Sequence, residues 1–135
     1  MDDTQIPAWM AELSSPLADT MGIQITEVSP ERAVGRMPVE GNTQPMGLLH
    51  GGANAVLMET LASIGATAHA RTLGGIAVGL DLNVTHHRGV RDGWVTGTAT
   101  ALQLGRTVAS YLIEVHDEAG NRTATGRLTC LVRSV

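Results

Sequence analysis

The sequence predicts an α+β fold in which one antiparallel sheet curls around one long buried helix. Two strand-like segments come first, a single long apolar helix follows, and four further strand-like segments complete the chain. Consecutive strands joined by short turns favour antiparallel pairing. Since one helix covers only one face of a sheet, we expect two copies of the chain to associate. The predicted strands are residues 22–29, 32–38, 76–85, 93–102, 107–117 and 122–132, and the helix runs from roughly Gly52 to His69.

The segments between these elements carry turn and loop residues. Residues 5–20 predict a short amphipathic helix broken at Pro16. Ser29–Pro30–Glu31 predicts the turn of the first strand pair. The stretch Val39–Leu49 predicts a loop, and Gly74–Gly75 close the helical region.

No linker or repeat divides the chain. We therefore expect an N-terminal helical segment, residues 1–20, followed by a single domain, residues 21–135.

The last strand has the clearest pattern. Small and apolar residues alternate with mostly polar ones from Arg122 to Val132, which predicts one face against the core. Cys130 falls on the apolar face, so packing is its expected role. Asp117–Asn121 is typical of a hairpin connection.

Composition excludes several classes of function. The 135 residues fit one core. A net charge of −4, with two tryptophans, one tyrosine and no phenylalanine, argues against nucleic-acid binding by a basic, aromatic surface. A single cysteine cannot form an intramolecular disulfide and suits a reducing compartment. Polar residues within the apolar helix argue against a membrane span, and no signal-peptide pattern opens the sequence. The expected location is cytoplasmic.

Glu59 is the only formal charge between His50 and Arg71, in a helix that is apolar almost all round. Such a helix is normally buried on most sides. A buried carboxylate costs several kcal/mol unless it is paired, hydrogen-bonded or neutralised. Glu59 is therefore predicted to be either a satisfied buried group or a functional one.

The start of the helix predicts an anion site. His50, Gly51 and Gly52 lie where unpaired backbone N–H groups and the helix dipole favour negative charge. Such a position could hold the oxyanion that forms from a carbonyl group. The alternative is that the two glycines only form a tight turn into the helix, and the motif alone favours neither.

Helix geometry separates these two features within one chain. Glu59 follows His50 by nine residues, which is about 13 Å along the axis and roughly half a turn around it. Two antiparallel helices related by a dimer two-fold could bring the start of one to the middle of the other. We therefore predict two composite sites per dimer, each taking Glu59 from the neighbouring subunit.

Ser63 lies one helical turn after Glu59, on the same face. It could hydrogen-bond the carboxylate or a water, or bond back to the preceding turn. No G-x-S-x-G motif surrounds it, so a nucleophilic role is not predicted. The five histidines show no metal-ligand spacing, and we predict no metal site.

These motifs resemble a known family. The segment Gly47–Gly52, with Glu59 nine residues after the histidine, resembles the hotdog-fold acyl-CoA thioesterases, as do the stretches Leu82–Arg88 and Leu102–Arg106. The resemblance is to the branch of the phenylacetate-degradation thioesterases, the Arthrobacter-type 4-hydroxybenzoyl-CoA thioesterase and 1,4-dihydroxy-2-naphthoyl-CoA hydrolase. It extends from about residue 20 to the C-terminus. The implied fold is a hotdog fold, paired into dimers and often into tetramers.

The resemblance also implies a site. Glu59 would be the catalytic carboxylate, as nucleophile or general base, and the Gly51 amide the oxyanion donor. Gln44 and His50 would lie near the thioester carbonyl, and Ser63 would assist Glu59 or the water. Coenzyme A would be part of the substrate, with no separate cofactor. The implied CoA contacts are Gly79, His86, His87, Arg88, Gly89, Gln103, Leu104, Gly105, Arg106, Thr107 and Val108.

Residue chemistry agrees with a CoA site, because phosphates are bound by arginine, backbone N–H groups and closely approaching glycine backbone. The alternative for Arg88 and Arg106 is solvated charge at strand ends. The predicted function is hydrolysis of an acyl-CoA thioester, with an aromatic acyl group as first choice and a medium- or long-chain fatty acyl group as alternative. A non-catalytic acyl-CoA-binding module and a hydratase of the same fold class are the rivals. A binding module would be expected to lack the carboxylate, whereas this helix carries Glu59. A hydratase would be expected to carry a His–Asp pair near the helix start, and none is found there.

Overall fold

The computed structural model describes residues 5–135. One long helix packs against a six-stranded antiparallel sheet and contacts every strand of it, which confirms the predicted curled α+β architecture. Two short N-terminal helical turns precede the sheet. The elements are a 3₁₀ helix Ala8–Glu12, α1 Pro16–Met21, β1 Gln24–Val28, β2 Arg32–Pro38, α2 Gly51–Thr72, β3 Gly75–His86, β4 Trp94–Leu104, β5 Val108–His116 and β6 Arg122–Ser134.

The strand order is β1-β2-β4-β5-β6-β3, with each neighbouring pair antiparallel. The hairpin β1–β2 turns as predicted, with Val28 opposite Ala33. The chain then crosses the sheet through α2 and returns at the far edge, so that β3 pairs with β6 rather than with β4. As a result β3 is an edge strand, with a register shift between Gly79 and Asp81.

The central helix is somewhat longer than predicted and begins and ends outside the predicted bounds. His50 caps its N-terminus, since the ring Nδ1 accepts the N–H of Gly52 at 2.8 Å. Eleven of its residues are buried, including Leu57, Met58 and Leu61. Gly65 lies so close to Tyr111 that an added Cβ would be 3.0 Å from the ring. A small residue is therefore needed where the helix crosses the sheet.

The N-terminal segment differs from the prediction of one helix broken at Pro16. Pro16 is the first residue of α1, a position that suits its fixed φ and missing N–H, and the preceding turn is a separate 3₁₀ helix. Helix α1 ends at Met21 and is capped by Gly22, whose φ of 76° lies in the left-handed region. The first four residues of the predicted segment 1–20 lie outside the described residues.

The core lies between α2 and the concave face of the sheet. The alternation predicted for the last strand is confirmed, because Ala124, Gly126, Leu128, Cys130 and Val132 are all buried. The hairpin before β6 is also confirmed, with the Asp117 carboxylate accepting the backbone N–H of Asn121 at 2.8 Å. This hydrogen bond is the main cause that lowers the pKa of Asp117. Within residues 5–135, no helix combines the length and the apolar character that crossing a membrane requires.

Candidate functional site

Glu59 is exposed in this chain, so the prediction of a buried carboxylate is wrong for the single subunit. The rest of α2 is largely covered, as predicted, but the face that carries Glu59 lies against the edge strand β3 at Gly79. Because glycine has no side chain and β3 is an edge, the carboxylate remains accessible. In the single subunit the Glu59 charge therefore remains hydrated, and no partner group is needed to stabilise it.

Because Gly79 has no side chain, the Glu59 carboxylate can occupy the space beside it. A Cβ built on Gly79 would lie 2.8 Å from Glu59 Oε2, and the next neighbour, Leu128, would be 3.7 Å away. The missing side chain thus lets the carboxylate approach the backbone of β3. The structure gives Gly79 this local role, whereas its predicted contact with CoA stays a prediction.

Ser63 and Glu59 face the same cavity, as their helical spacing predicts. The cavity has a volume of about 490 Å³ and is bounded by α2 on one side and by the N-terminal segment and β1 on the other. Cys130 lies beneath it, fully buried. The pKa of its thiol is raised to about 11, mainly by burial and also by the Glu59 charge, while a hydrogen bond with Ser63 opposes both effects. Cys130 is therefore a neutral packing group, as predicted.

The start of α2 carries a free donor. The Gly52 N–H is used by His50, and the Ala53 and Asn54 N–H groups are used by the His50 carbonyl, but the Gly51 N–H forms no hydrogen bond within residues 5–135. Since Nδ1 of His50 is an acceptor here, a neutral His50 ring carries its proton on Nε2. This helix start can thus donate from a backbone amide and from an imidazole.

His86 and Asn54 belong to the same end of the helix. A Cβ built on Gly51 would lie 2.7 Å from His86 Nε2, so the imidazole packs directly on the glycine. Asn54 donates from Nδ2 to His86 Nδ1 at 3.3 Å and is 5% exposed, while its Oδ1 has no partner in the described part of the chain. A polar Asn54 within an apolar helix was the available signal, but sequence reasoning assigned it no role.

A second cavity, of about 360 Å³, opens at this end of α2. It brings together several predicted site residues: Gln44, Gly51, His86, His87, Arg88 and Gly89. The Gln44 side chain accepts the backbone N–H of Leu48 at 3.4 Å and so also shapes its own loop. The predicted catalytic loop and the first predicted CoA stretch therefore lie side by side.

The second predicted CoA stretch, Gln103–Val108, lies at the opposite end of α2. His69, near the end of the helix, donates from Nε2 to the Gly105 carbonyl at 2.7 Å. Arg106 lines a separate cleft together with Gly75 and Arg133. His69 follows Gly51 by eighteen residues, or about 27 Å of helix, so one chain does not place both stretches on one small ligand.

The predicted catalytic residues also form two groups that lie apart within one chain. Glu59 and Ser63 line the first cavity, whereas Gly51 and Gln44 line the second. The eight residues from Gly51 to Glu59 correspond to about 12 Å along the helix. Among residues 5–135, no group of three or more histidine, cysteine, aspartate or glutamate side chains is arranged to hold a metal ion.

Comparisons with known proteins agree with this architecture. The Thioesterase superfamily matches residues 46–124. The proofreading thioesterase EntH of Cronobacter turicensis is 40% identical over 117 residues, which cover 86% of this chain and 85% of that protein.

Two solved structures are similar over most of their length. A mutant thioesterase of Pseudomonas aeruginosa has a TM-score of 0.83 at 37% identity and covers 88% of this chain and 86% of its own. A thioesterase of Haemophilus influenzae has a TM-score of 0.81 at 35% identity, with 87% and 82% covered. Together with the helix-wrapped sheet, these matches show that the chain has the hotdog fold, belongs to the thioesterase superfamily and is a hydrolase of the thioesterase type.

Proposed function

We propose that this protein hydrolyses acyl-CoA thioesters in sites shared between two subunits. The proposal rests on one observation: α2 carries both an exposed carboxylate, Glu59, in its middle and an unused backbone amide, that of Gly51, at its start. The first is a group for activating water or attacking a carbonyl, and the second is a donor for the oxyanion that results. The similar Cronobacter protein is named a proofreading thioesterase, which supports thioester chemistry here.

The edge strand β3 supports a dimer. Within the described chain β3 pairs with β6 alone, so its outer N–H and C=O groups are open to another strand. Three apolar side chains on it are also exposed: Ile76 by 49%, Val78 by 46% and Leu80 by 59%. A second copy of β3, running antiparallel, would complete the hydrogen bonds and cover these side chains.

The positions of the two half-sites along β3 fix where the two-fold should lie. Glu59 contacts β3 at Gly79, and the Gly51 end of the helix contacts it at His86. A two-fold midway between them, near Asn83, places Gly79 of one subunit opposite the partner's end of β3. The Glu59 carboxylate of one subunit then faces the free amide at the start of the neighbouring α2.

The same two-fold accounts for the divided CoA stretches. Arg106 lies beside Gly75, at the beginning of β3, and Arg88 follows its end. In an antiparallel β3 pair the beginning of one strand lies near the end of the other. In the proposed dimer, Arg88 of one subunit and Arg106 of the other would bind the phosphates of one CoA together.

In the proposed reaction, the Gly51 N–H polarises the thioester carbonyl. Glu59 either takes a proton from water, whose oxygen attacks the carbonyl carbon, or attacks that carbon itself to form an anhydride that water then cleaves. In both cases the carbon–sulfur bond breaks, the thiolate leaves as CoA after taking up a proton, and the acid is released. Ser63 lines the same cavity as Glu59, which supports a role for its hydroxyl in holding the water.

Glu59→Gln tests the carboxylate. We expect turnover, measured as thiol release, to fall by about three orders of magnitude, with unchanged thermal unfolding because the side chain is exposed. Glu118→Gln, in the exposed hairpin before β6, is the matched control and should retain activity. Near-wild-type turnover in Glu59→Gln would remove this residue from the mechanism.

The choice between the two roles of Glu59 can be made with isotopes. In a single turnover in ¹⁸O-water, a general base puts the label into the product acid. A nucleophile puts it into the Glu59 carboxylate when water opens the anhydride at the Glu59 carbonyl, so label in Glu59 during that first turnover identifies the nucleophilic role. Mass spectrometry of the product and of the peptide containing Glu59 distinguishes the two outcomes.

Gly51 allows the amide to be tested separately from the added side chain. Gly51→Pro removes the N–H at a helix position that tolerates proline, after a residue with extended backbone, while Gly51→Ala adds a Cβ against His86 and keeps the N–H. We expect the proline variant to lose at least tenfold more turnover than the alanine variant. Equal losses would mean that packing on His86, not the donor, matters.

Mixed dimers test the sharing of sites. Glu59→Gln and Gly51→Pro subunits, each inactive alone, should regain about a quarter of wild-type activity when mixed equally, because half of the dimers are mixed and each has one intact site. Failure to regain activity in dimers shown to be mixed contradicts shared sites.

The position of the two-fold has its own test. Asn83→Cys in a Cys130→Ala background should form an intersubunit disulfide under oxidation, since opposed residues across an antiparallel pair lie close enough. Ile76→Cys, at the far end of β3, should not. Cross-linking through Ile76→Cys alone would move the two-fold and contradict the proposed site.

An aromatic acyl group is the proposed substrate class within the acyl-CoA esters, on the similarity of the motif to the aroyl-CoA branch. A straight-chain acyl group is the alternative, because the aliphatic residues lining the cavity suit a chain as well as a ring. Thiol release from matched panels of aroyl- and alkyl-CoA esters compares them by kcat/KM. A preference of tenfold or more for alkyl esters would reject the aromatic assignment.

A further inference from the structure

We propose that the N-terminal segment, residues 8–15, forms the outer wall of the acyl-binding cavity, and that Met10 and Leu13 set the size of the acyl group accepted. The inference rests on the proposed thioesterase function, since it places the acyl group in the cavity beside Glu59. It assigns substrate selection to residues that neither bind CoA nor take part in the chemistry.

The cavity has two distinct sides. One side comes from α2, with Glu59, Thr60, Ser63 and Ile64, and the other side, from the N-terminal segment and α1, also carries the polar residues Ser14, Ser15 and Asp19. Met10 and Leu13 close it from the N-terminal segment. A carbonyl held beside Glu59 therefore directs its acyl group toward these two apolar side chains, of which the unbranched and flexible Met10 can adapt to different occupants.

The wall lies outside the residues that the superfamily match covers. The superfamily match covers residues 46–124, which include Glu59, Ser63 and Ile64. Met10 and Leu13, together with Ile23 and Ile25 from β1 and the loop before it, precede that region. The matched region therefore carries the reactive group, while the cavity that receives the rest of the substrate also depends on the residues that precede it.

A side-chain anchor holds the wall in place. None of the residues of the 3₁₀ helix is buried, so the core does not fix this turn. Instead the Trp9 ring stacks under Arg71 of α2, with the guanidinium carbon 4.8 Å from the ring centre. Arg71 lies twelve residues beyond Glu59 on the same helix, so the anchor holds the segment along α2 on one side of the cavity.

Neighbouring tryptophan substitutions test the wall. Met10→Trp fills the cavity, whereas Ala11→Trp adds the same side chain at an exposed position that does not line it. The readouts are thiol release from acyl-CoA esters of two to twelve carbons, and calorimetric binding of the matching S-alkyl-CoA thioethers, which cannot be hydrolysed.

For the wild type, we expect thioether affinity to rise by about fourfold per methylene until the cavity is full. Met10→Trp should end this rise at a shorter chain. The affinity for the longest thioether should fall by about tenfold to twentyfold, which is the contribution of about two methylenes, and the affinity for the ethyl thioether should not change. The kcat/KM values should follow the same pattern, and Ala11→Trp should match the wild type.

The outcomes separate this inference from the proposed function. If the wild type releases thiol but Met10→Trp keeps the wild-type length dependence, or Ala11→Trp changes it equally, the wall is wrong and the thioesterase stands. If thioethers bind with the expected length dependence but no ester releases thiol, the catalytic proposal fails and the wall stands. A wild type that binds no thioether overturns the wall.

Discussion

Replacing Gly79 by alanine tests how closely the position of Glu59 determines catalysis. The added Cβ would lie 2.8 Å from Glu59 Oε2, and ordinary contact begins at about 3.5 Å, so the carboxylate must retreat by more than half an ångström. Gly79 does not have a positive φ, so alanine fits the backbone. The other neighbour, Leu128, would be at 3.7 Å, an ordinary contact.

We expect the effect on activity to be large and the effect on folding to be small. A displacement approaching 1 Å at a reacting group costs up to about 100-fold, so kcat should fall by about tenfold to 100-fold. The unfolding free energy should change by less than about 1 kcal/mol, because only the end of a flexible, exposed side chain must move. Thiol-release kinetics and urea unfolding measure the two quantities.

A double-mutant cycle shows whether Gly79 acts through Glu59. If it does, Gly79→Ala should cause no further loss in a Glu59→Gln background, and the two effects are non-additive. If Gly79→Ala lowers the activity of the wild type and of Glu59→Gln by the same factor, Gly79 does not act through Glu59. Its predicted contact with CoA would then be the better explanation, and KM rather than kcat should change.

Three other predictions follow from the packing around the site. Gly65→Ala should lower the unfolding free energy, measured in urea, by about 1–3 kcal/mol, because its Cβ would press on the Tyr111 ring at 3.0 Å. This loss should exceed the gain from the higher helix propensity of alanine. An unchanged unfolding midpoint would contradict the prediction. His86→Ala should reduce kcat/KM by about tenfold, because the imidazole packs on Gly51, and should lower the thermal unfolding midpoint, because the buried Asn54 loses its hydrogen-bond partner; full activity would show that the ring is dispensable. Because the Cys130 thiol ionises at about 9 when unfolded and at about 11 when folded, stability should fall as pH rises between these values, and Cys130→Ala should lose that part of the pH dependence.

Local patterns were sufficient for most of the secondary structure. The apolar helix, the alternation in β6 and the turn at Ser29–Glu31 each depend on neighbouring residues, so periodicity and turn chemistry predicted them. Pro16 was misjudged because proline both ends and begins helices, and the choice depends on what α1 packs against.

Short-range spacing was enough to predict one long helix with six strands, the family, and the residue types of the candidate site. The exposure of Glu59, the space that Gly79 leaves for it and the packing of His86 on Gly51 became visible only in the folded chain. These contacts join residues twenty to thirty-five positions apart in the sequence, and they depend on where β3 returns to the sheet. No local pattern encodes that return, since it is set by how the whole sheet wraps the helix.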